Sequence, residues 1–299
     1  MMLTGIKMAF IGGDARIIEV VRYMSDLDAS TYLFGFDRLS LSFPDMHKVE
    51  LSPAALADFD VIVLPIAGMD DEGRVDAAFS DAPLRLSDEH FAAISKKAPV
   101  FSGIARPALQ TLAHKHGLNL IRLMELDEVA ILNSIPTAEG AIAMAMERTE
   151  ITLHGSTCAV LGLGRCGLTL ARMLSGIGAN VRVFARKPAE LARIYEMGLR
   201  PYGLSQLVDA IADADVIFNT IPAPILTADV LAHVPRSCVI IDIASIPGGT
   251  DFRYAEKRGI NAVLAPSLPG IVAPKTAGRI IAQTIVQMIQ TPLNAPGGM

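Results

Sequence analysis

Tryptophan is absent, cysteine occurs only three times, and no stretch is dominated by charge of one sign. Cys158, Cys166 and Cys238 are odd in number and widely spaced, so no disulfide framework and no metal site are expected. Without an N-terminal signal pattern, the expectation is reduced thiols in the cytoplasm. The longest apolar runs, such as CVIIDIA, fall far short of the ~18 residues that cross a bilayer, so no membrane span is expected. The net charge of -5, from 26 basic and 31 acidic residues without a basic block, argues against a nucleic-acid partner. Only 19% of residues are charged and 51% are hydrophobic, which excludes a disordered or fibrous chain.

What is present is alternation. KMAFIGG, RIIEVVRYM, TYLFGF, VIVLPIAG, DEHFAAISKK, PVFSGI, PALQTLAHKHG and NLIRLM read in turn as buried strands and helices. TCAVLGLG begins a second series that continues through NVRVFAR, DVIFNTIP, SCVIIDIAS and INAVLAPSLPG. The fold class is therefore α/β, with two Rossmann-like, doubly wound parallel-sheet domains flanking a cleft. Residues 1–133 form the first domain, and 134–273 the second, beginning with a connecting helix capped by Ser134 or Thr137. The apolar stripe of residues 274–290 returns to the first domain, and 291–299 form a tail. That last helix could serve packing or assembly, so a homo-oligomer stays open.

Between the first strand and helix of the second domain lies G-x-G-x-x-G: Gly162, Gly164 and Gly167, with Arg165 and Cys166 between them. The glycines suit a tight turn, close approach of a pyrophosphate and close helix packing, in that order. A degenerate domain without a ligand is the bland alternative. The next strand ends in Arg186 and Lys187 where an NAD-preferring domain carries an acid, so the expected cofactor is NADP. The alternative makes both residues solvated loop charges. Cys166 is read as small-residue packing, although a helix N-terminus could lower its pKa. His154 precedes the strand and is read as structural, while His114 and His116 suit a helix C-terminus.

Ligands of such sheets lie beyond the strand C-termini. The rule selects Thr220, Ile221 and Pro222, then Ala244 and Ser245, beside the glycine loop. In the first domain it selects Gly12–Arg16, Pro65–Met69 and Ser102–Arg106. Gly13, Asp14 and Arg16 could make an anion site, with Arg16 on a substrate carboxylate; alternatively Asp14 is merely an N-cap and Arg16 a surface residue. Ser102, Asn133, Ser134, Thr137 and Glu139 add short polar groups, and Lys275 a further cation, to a site suited to a small dicarboxylate substrate.

IGGDAR, NSIPTAEG, AVLGLGRCG, NTIP, PGGTDFRYAEKRGI and APSLPGIVAPKTAG, in that order, together resemble the dehydrogenase-like subunit family of bacterial dipicolinate synthase over nearly the whole chain. The resemblance implies a cytoplasmic sporulation enzyme of the mother cell, linked to NADP. It implies oxidation of a dihydrodipicolinate-level intermediate, reached from hydroxy-tetrahydrodipicolinate on a branch of the lysine pathway. It also implies a partner, the flavoprotein-like second subunit of dipicolinate synthase. If that chemistry needs an acid/base group, Glu139 and Lys275 are the candidates. Two alternatives remain: a nucleotide-binding subunit whose flavoprotein partner performs the redox step, and another two-domain NADP-dependent dehydrogenase.

Overall fold

The computed structural model describes residues 2–290 and divides into two compact units, residues 2–130 with 274–290, and residues 131–273. The expected tail, 291–299, lies outside the described residues.

In the first unit, β1 (Lys7–Ile11), β2 (Ser30–Phe34), β3 (Met46–Val49), β4 (Val61–Val63), β7 (Val100–Ser102) and β8 (Leu120–Arg122) form a wholly parallel sheet of order β3-β2-β1-β4-β7-β8. Period two along β1 sends Met8 and Phe10 into one core, and Ala9 and Ile11 into the core on the opposite face. Between β4 and β7 the chain adds the small antiparallel pair β5 (Arg74–Val75) and β6 (Leu84–Arg85) and the short helix α2 (Asp88–Ala93).

Helix α1 (Ala15–Ser25) is capped by Asp14, whose carboxylate accepts from the Arg16 N–H. It buries Ile17, Val20, Val21 and Met24, spaced at three or four residues on one face. Each such side chain contributes about 1.5–3 kcal/mol on burial. The same core receives Ile281, Ala282 and Ile285 of α11 (Pro274–Gln290). The two helices cross closely because Gly278 has no side chain; a Cβ there would strike the Arg16 carbonyl. Helix α3 (Pro107–His116) begins with Pro107 and stops at Gly117 in the left-handed conformation. His114, Lys115 and His116 occupy its last turn, as the dipole favours.

Helix α4 (Asp127–Arg148) corrects the expected caps. It begins at Asp127, carries acids in its first turn and continues past Pro136, so Ser134 and Thr137 lie inside it. Their hydroxyls donate backwards to the Ile131 and Asn133 carbonyls at 2.6 and 2.7 Å. This helix is also long and apolar enough to cross a membrane by composition, a property the short sequence runs concealed. Ala138, Ala141, Ile142 and Ala145 are nevertheless in the core of the second unit.

The second unit repeats the order. β9 (Thr157–Leu161), β10 (Asn180–Ala185), β11 (Arg200–Gly203), β12 (Val216–Asn219), β13 (Val239–Asp242) and β14 (Asn261–Leu264) form a parallel sheet, β11-β10-β9-β12-β13-β14. Cys158 and Val160 face one core, and Ala159 and Leu161 the other. Helices α5 (Arg165–Gly176), α6 (Pro188–Glu196), α7 (Leu207–Ala210), α8 (Ala228–Leu231), α9 (Phe252–Arg258) and α10 (Leu268–Val272) complete the unit. The strand order reverses between β9 and β12, which fixes where a ligand of this unit belongs.

Candidate nucleotide and substrate sites

At that reversal the three glycines of the G-x-G-x-x-G motif meet different demands. Gly162 has φ +99, and a Cβ on it would press on the Thr220 hydroxyl. A Cβ on Gly167 would collide with the Gly162 carbonyl, whereas one on Gly164 would meet nothing within 4 Å. The turn is thus packed from behind and open in front. Among the described residues, the N–H groups of Leu163, Gly164 and Cys166 meet no protein acceptor. Free donors at the start of a twelve-residue helix fit the pyrophosphate of a dinucleotide.

The flanking loops are fixed by two buried polar side chains that the sequence reading missed. Asn219 and Asp242 are register partners at the ends of β12 and β13, and both are fully buried. Asn219 Oδ1 accepts from the Ile221 N–H at 3.0 Å, and its Nδ2 donates to the Ile221 carbonyl at 3.1 Å. Asp242 accepts from the N–H groups of Ala244 and Gly249 at 3.1 and 2.8 Å, and from the Thr250 hydroxyl at 2.6 Å. Thr220 donates to the Leu161 carbonyl at 2.8 Å, which ties the loop to β9. Thr220 and Ile221 are half-buried, Pro222 and Ser245 exposed, and Ala244 buried. The available signal was a single polar residue ending an apolar strand run, in VIFN and VIID.

Arg186 and Lys187 follow β10 and are exposed. They have an acid nearby after all: the Glu190 carboxylate accepts from the Lys187 N–H at 3.2 Å and lies 3.8 Å from its Nζ. Arg165 is exposed at the first position of α5. Burial pushes the thiol of Cys166 up, the Arg165 charge opposing it only in part. Cys158 is likewise raised by burial, and Cys238 is pushed up to about 12. His154 Nδ1 bonds the Ile177 carbonyl at 3.0 Å, away from the glycine loop.

The anion site expected in the first unit is largely occupied by the chain itself. Gly12 N–H donates to the Phe34 carbonyl and Gly13 N–H to that of Asp76, at 2.8 and 2.7 Å. The Asp14 carboxylate caps α1 and also takes the Arg16 guanidinium, with Nη2 at 2.6 Å and Nε at 2.9 Å. Asp14 thus stands where an incoming carboxylate was expected. Ser102 is fully buried and donates to the Ile104 carbonyl at 2.7 Å. Lys275 is exposed in the first turn of α11, where its charge helps lower the Glu19 carboxyl.

On α4, Asn133 is buried, Glu139 is exposed, and Ser134 shares a 2.6 Å hydroxyl bond with Thr169 of α5. Ser134 and Thr137 therefore commit their hydroxyls within the second unit. No cluster of metal-ligating side chains occurs among the described residues.

Comparison with known proteins places both units. A family model for the N-terminal domain of DpaA, the first subunit of dipicolinate synthase, matches residues 7–124. One for the D-isomer specific 2-hydroxyacid dehydrogenase NAD binding domain matches residues 135–245. The second unit is therefore a pyridine-nucleotide-binding domain of oxidoreductase type. The transhydrogenase of Sinorhizobium meliloti shares the fold at 16% identity, with a TM-score of 0.66 over 95% of this chain and 93% of that one. The crystal structure of the same dipicolinate synthase subunit from Bacillus halodurans superposes with a TM-score of 0.94 at 48% identity, covering 98% of this chain and 100% of that one. Its counterpart in Bacillus subtilis (strain 168) is 46% identical over 288 residues, 96% of this chain and 97% of its own. With both halves matched and identity sustained from end to end, this chain belongs to the DpaA family of dipicolinate synthase subunits.

Proposed function

We propose that the chain is the NADP-linked oxidoreductase subunit that converts a dihydrodipicolinate-level intermediate, formed from hydroxy-tetrahydrodipicolinate, to dipicolinate during sporulation. The observation that carries the cofactor reading is the open N-terminus of α5 followed, at the end of β10, by Arg186 and Lys187 with no acid in the strand itself. When bound, NADP supplies a hydride acceptor. The N–H groups of Leu163, Gly164 and Cys166 hold the pyrophosphate, and Arg186 binds the 2′-phosphate through its guanidinium fork. Lys187 assists, shared with Glu190. Asn219 and Asp242 keep the loops of Thr220–Pro222 and Ala244–Ser245 in place.

The substrate half of the reaction asks for two carboxylates to be held and one proton to be removed from the ring as a hydride leaves and the ring becomes aromatic. Glu139 and Lys275, both solvent-exposed, are the proposed proton carriers. The proposed partner is the flavoprotein-like second subunit, in the cytoplasm of the mother cell.

The test is turnover of enzymatically generated substrate by the purified chain, alone and with the second subunit, following NADPH and dipicolinate together. NADPH is expected to rise in step with dipicolinate. Dipicolinate formed without NADP reduction would move the redox step to the partner. In the same assay, Arg186→Ala should weaken NADP about tenfold more than NAD; equal losses would overturn the 2′-phosphate assignment.

A further inference from the structure

The two sheets share one strand order but treat the crevice at its reversal differently. After β9 the turn is open. After β1 it is filled by the chain itself: Gly13 N–H donates to the Asp76 carbonyl at 2.7 Å and Ala78 N–H to the Gly13 carbonyl at 3.0 Å. A Cβ on Gly12 would run into the Asp76 carbonyl, so the contact is as close as backbone allows. The strap of residues 76–78 thus takes the place of a pyrophosphate. Beside it remains a cavity of about 430 Å3, lined by Gly68, Asp70, Arg74, Asp76 and Arg106 among others.

The cations at this edge of the first unit differ in their commitments. Arg16 is held by Asp14, Arg38 by the Ala78 carbonyl and Asp81, and Arg74 by Asp70 and Glu72. Lys48 donates to the Asp37 and Leu39 carbonyls, and Arg85 to that of Glu72. A neighbouring cavity of about 630 Å3, to which Lys48 and Arg85 belong, therefore offers cations already engaged.

Arg106 is different. Among the described residues its guanidinium meets no acceptor, and the carboxylate of Asp76 on the same cavity meets no donor. The backbone leading to Arg106 is stiff, because Ser102 donates to the Ile104 carbonyl and Gly103 is pressed against Ile66.

An uncommitted guanidinium and an uncommitted carboxylate on one preformed cavity suit a ligand of mixed character. We propose that this cavity recognises a small ring carboxylate that also offers an N–H or O–H donor, with Arg106 binding the carboxylate and Asp76 accepting from the donor. The assignment rests on the function proposed above in one respect: the reduced, hydroxylated dicarboxylate has both features, whereas the aromatic product keeps only the carboxylates. Arg106 would then perform the task that the sequence assigned to Arg16.

Calorimetric titration of the full chain tests this with two probes: the saturated piperidine analogue of dipicolinate, which carries an ammonium and two carboxylates, and dipicolinate itself. The wild type should bind the saturated analogue about tenfold tighter than dipicolinate. Arg106→Ala should weaken both about tenfold or more, Arg106→Lys should recover part of the loss, and Asp76→Asn should abolish the preference while retaining dipicolinate. NADP titrations should be unchanged in all three variants, which shows that they are folded. Failure of the wild type to bind the analogue, or wild-type binding by Arg106→Ala, would overturn the site. Turnover separates the two proposals. Binding through Arg106 without NADPH formation would refute the redox assignment alone, and NADPH formation with an unchanged KM in Arg106→Ala would refute this site alone.

Discussion

Gly162, Gly164 and Gly167 are interchangeable letters in a motif, but their surroundings make them separable by mutation. Gly164 has φ -74 and open space where a side chain would go. Gly164→Ala should therefore cost no more than about 1 kcal/mol, the effect of a poorer N-cap, while sharply weakening nucleotide binding. Gly167→Ala must push the Gly162 carbonyl, which belongs to a packed turn, and should cost about 1–3 kcal/mol as well as affinity. Urea unfolding and nucleotide titration on both variants check the contrast; equal stability losses would refute it. Asp242→Asn replaces an acceptor with a donor facing N–H and O–H groups, so about 1–3 kcal/mol should be lost although the residue is nearly isosteric. The glycine turn was legible because its chemistry is local in sequence. Asp242 and Asn219 were not, since their donors are supplied by loops whose path depends on the completed sheet. Arg16, expected either on a substrate carboxylate or at the surface, is held by the side chain of the N-cap Asp14 two residues away.

At the scale of elements, period two and period 3.6 carried most of the reading, and the omissions share one cause. β3, MHKV, is an edge strand with little buried surface, and β5 and β6 are two residues each, so none has an apolar rhythm to detect. The start of α4 was misplaced because Ser134 and Thr137 are good caps in isolation, yet their hydroxyls bond backwards inside a helix already under way. The contact of α1 with α11 is electrostatic as well as apolar. Glu19 is nearly buried there, paired with Arg22 at 2.5 Å and with Arg279 at 3.6 Å. The hydrogen bond from Arg22, with the charges of Arg22, Arg279 and Lys275 behind it, holds the Glu19 carboxyl below its usual range, although burial opposes the shift. A carboxyl lowered on folding contributes stability that is complete above its unfolded pKa of about 4.3 and is lost as pH falls through the lower folded value. Glu19→Gln should therefore destabilise by about 1–2 kcal/mol at neutral pH, a figure kept small because Arg22 is partly open to solvent. The difference from wild type should be smaller at pH 3 than at neutral pH. Denaturant midpoints at the two pH values measure this, and a constant difference would show that the contact is not ionic.

For the whole molecule, two sheets of identical order would on topology alone suggest two dinucleotide sites. Sequence supports only one, since IGGDAR lacks the full fingerprint, but it does not explain what becomes of the other crevice. The explanation is the strap after β5, a feature without regular structure or a motif, whose carbonyl at Asp76 satisfies the Gly13 N–H that a phosphate would otherwise claim. A buried backbone donor already satisfied gains little by exchanging partners, so a pyrophosphate would have to expel the strap and leave its own groups unpaired. Equilibrium titration of the full chain should accordingly saturate at one NADP per chain. Binding of that single nucleotide to the folded state alone should add about 2.7 kcal/mol to stability at a free concentration one hundred times Kd, with no further rise from a second, weaker phase. Gly164→Ala supplies the decisive control. If the second unit is the sole nucleotide site, that one substitution sharply weakens all of the binding and the thermal shift together, whereas residual saturable binding at wild-type affinity would locate a second nucleotide in the unit the strap is argued to close.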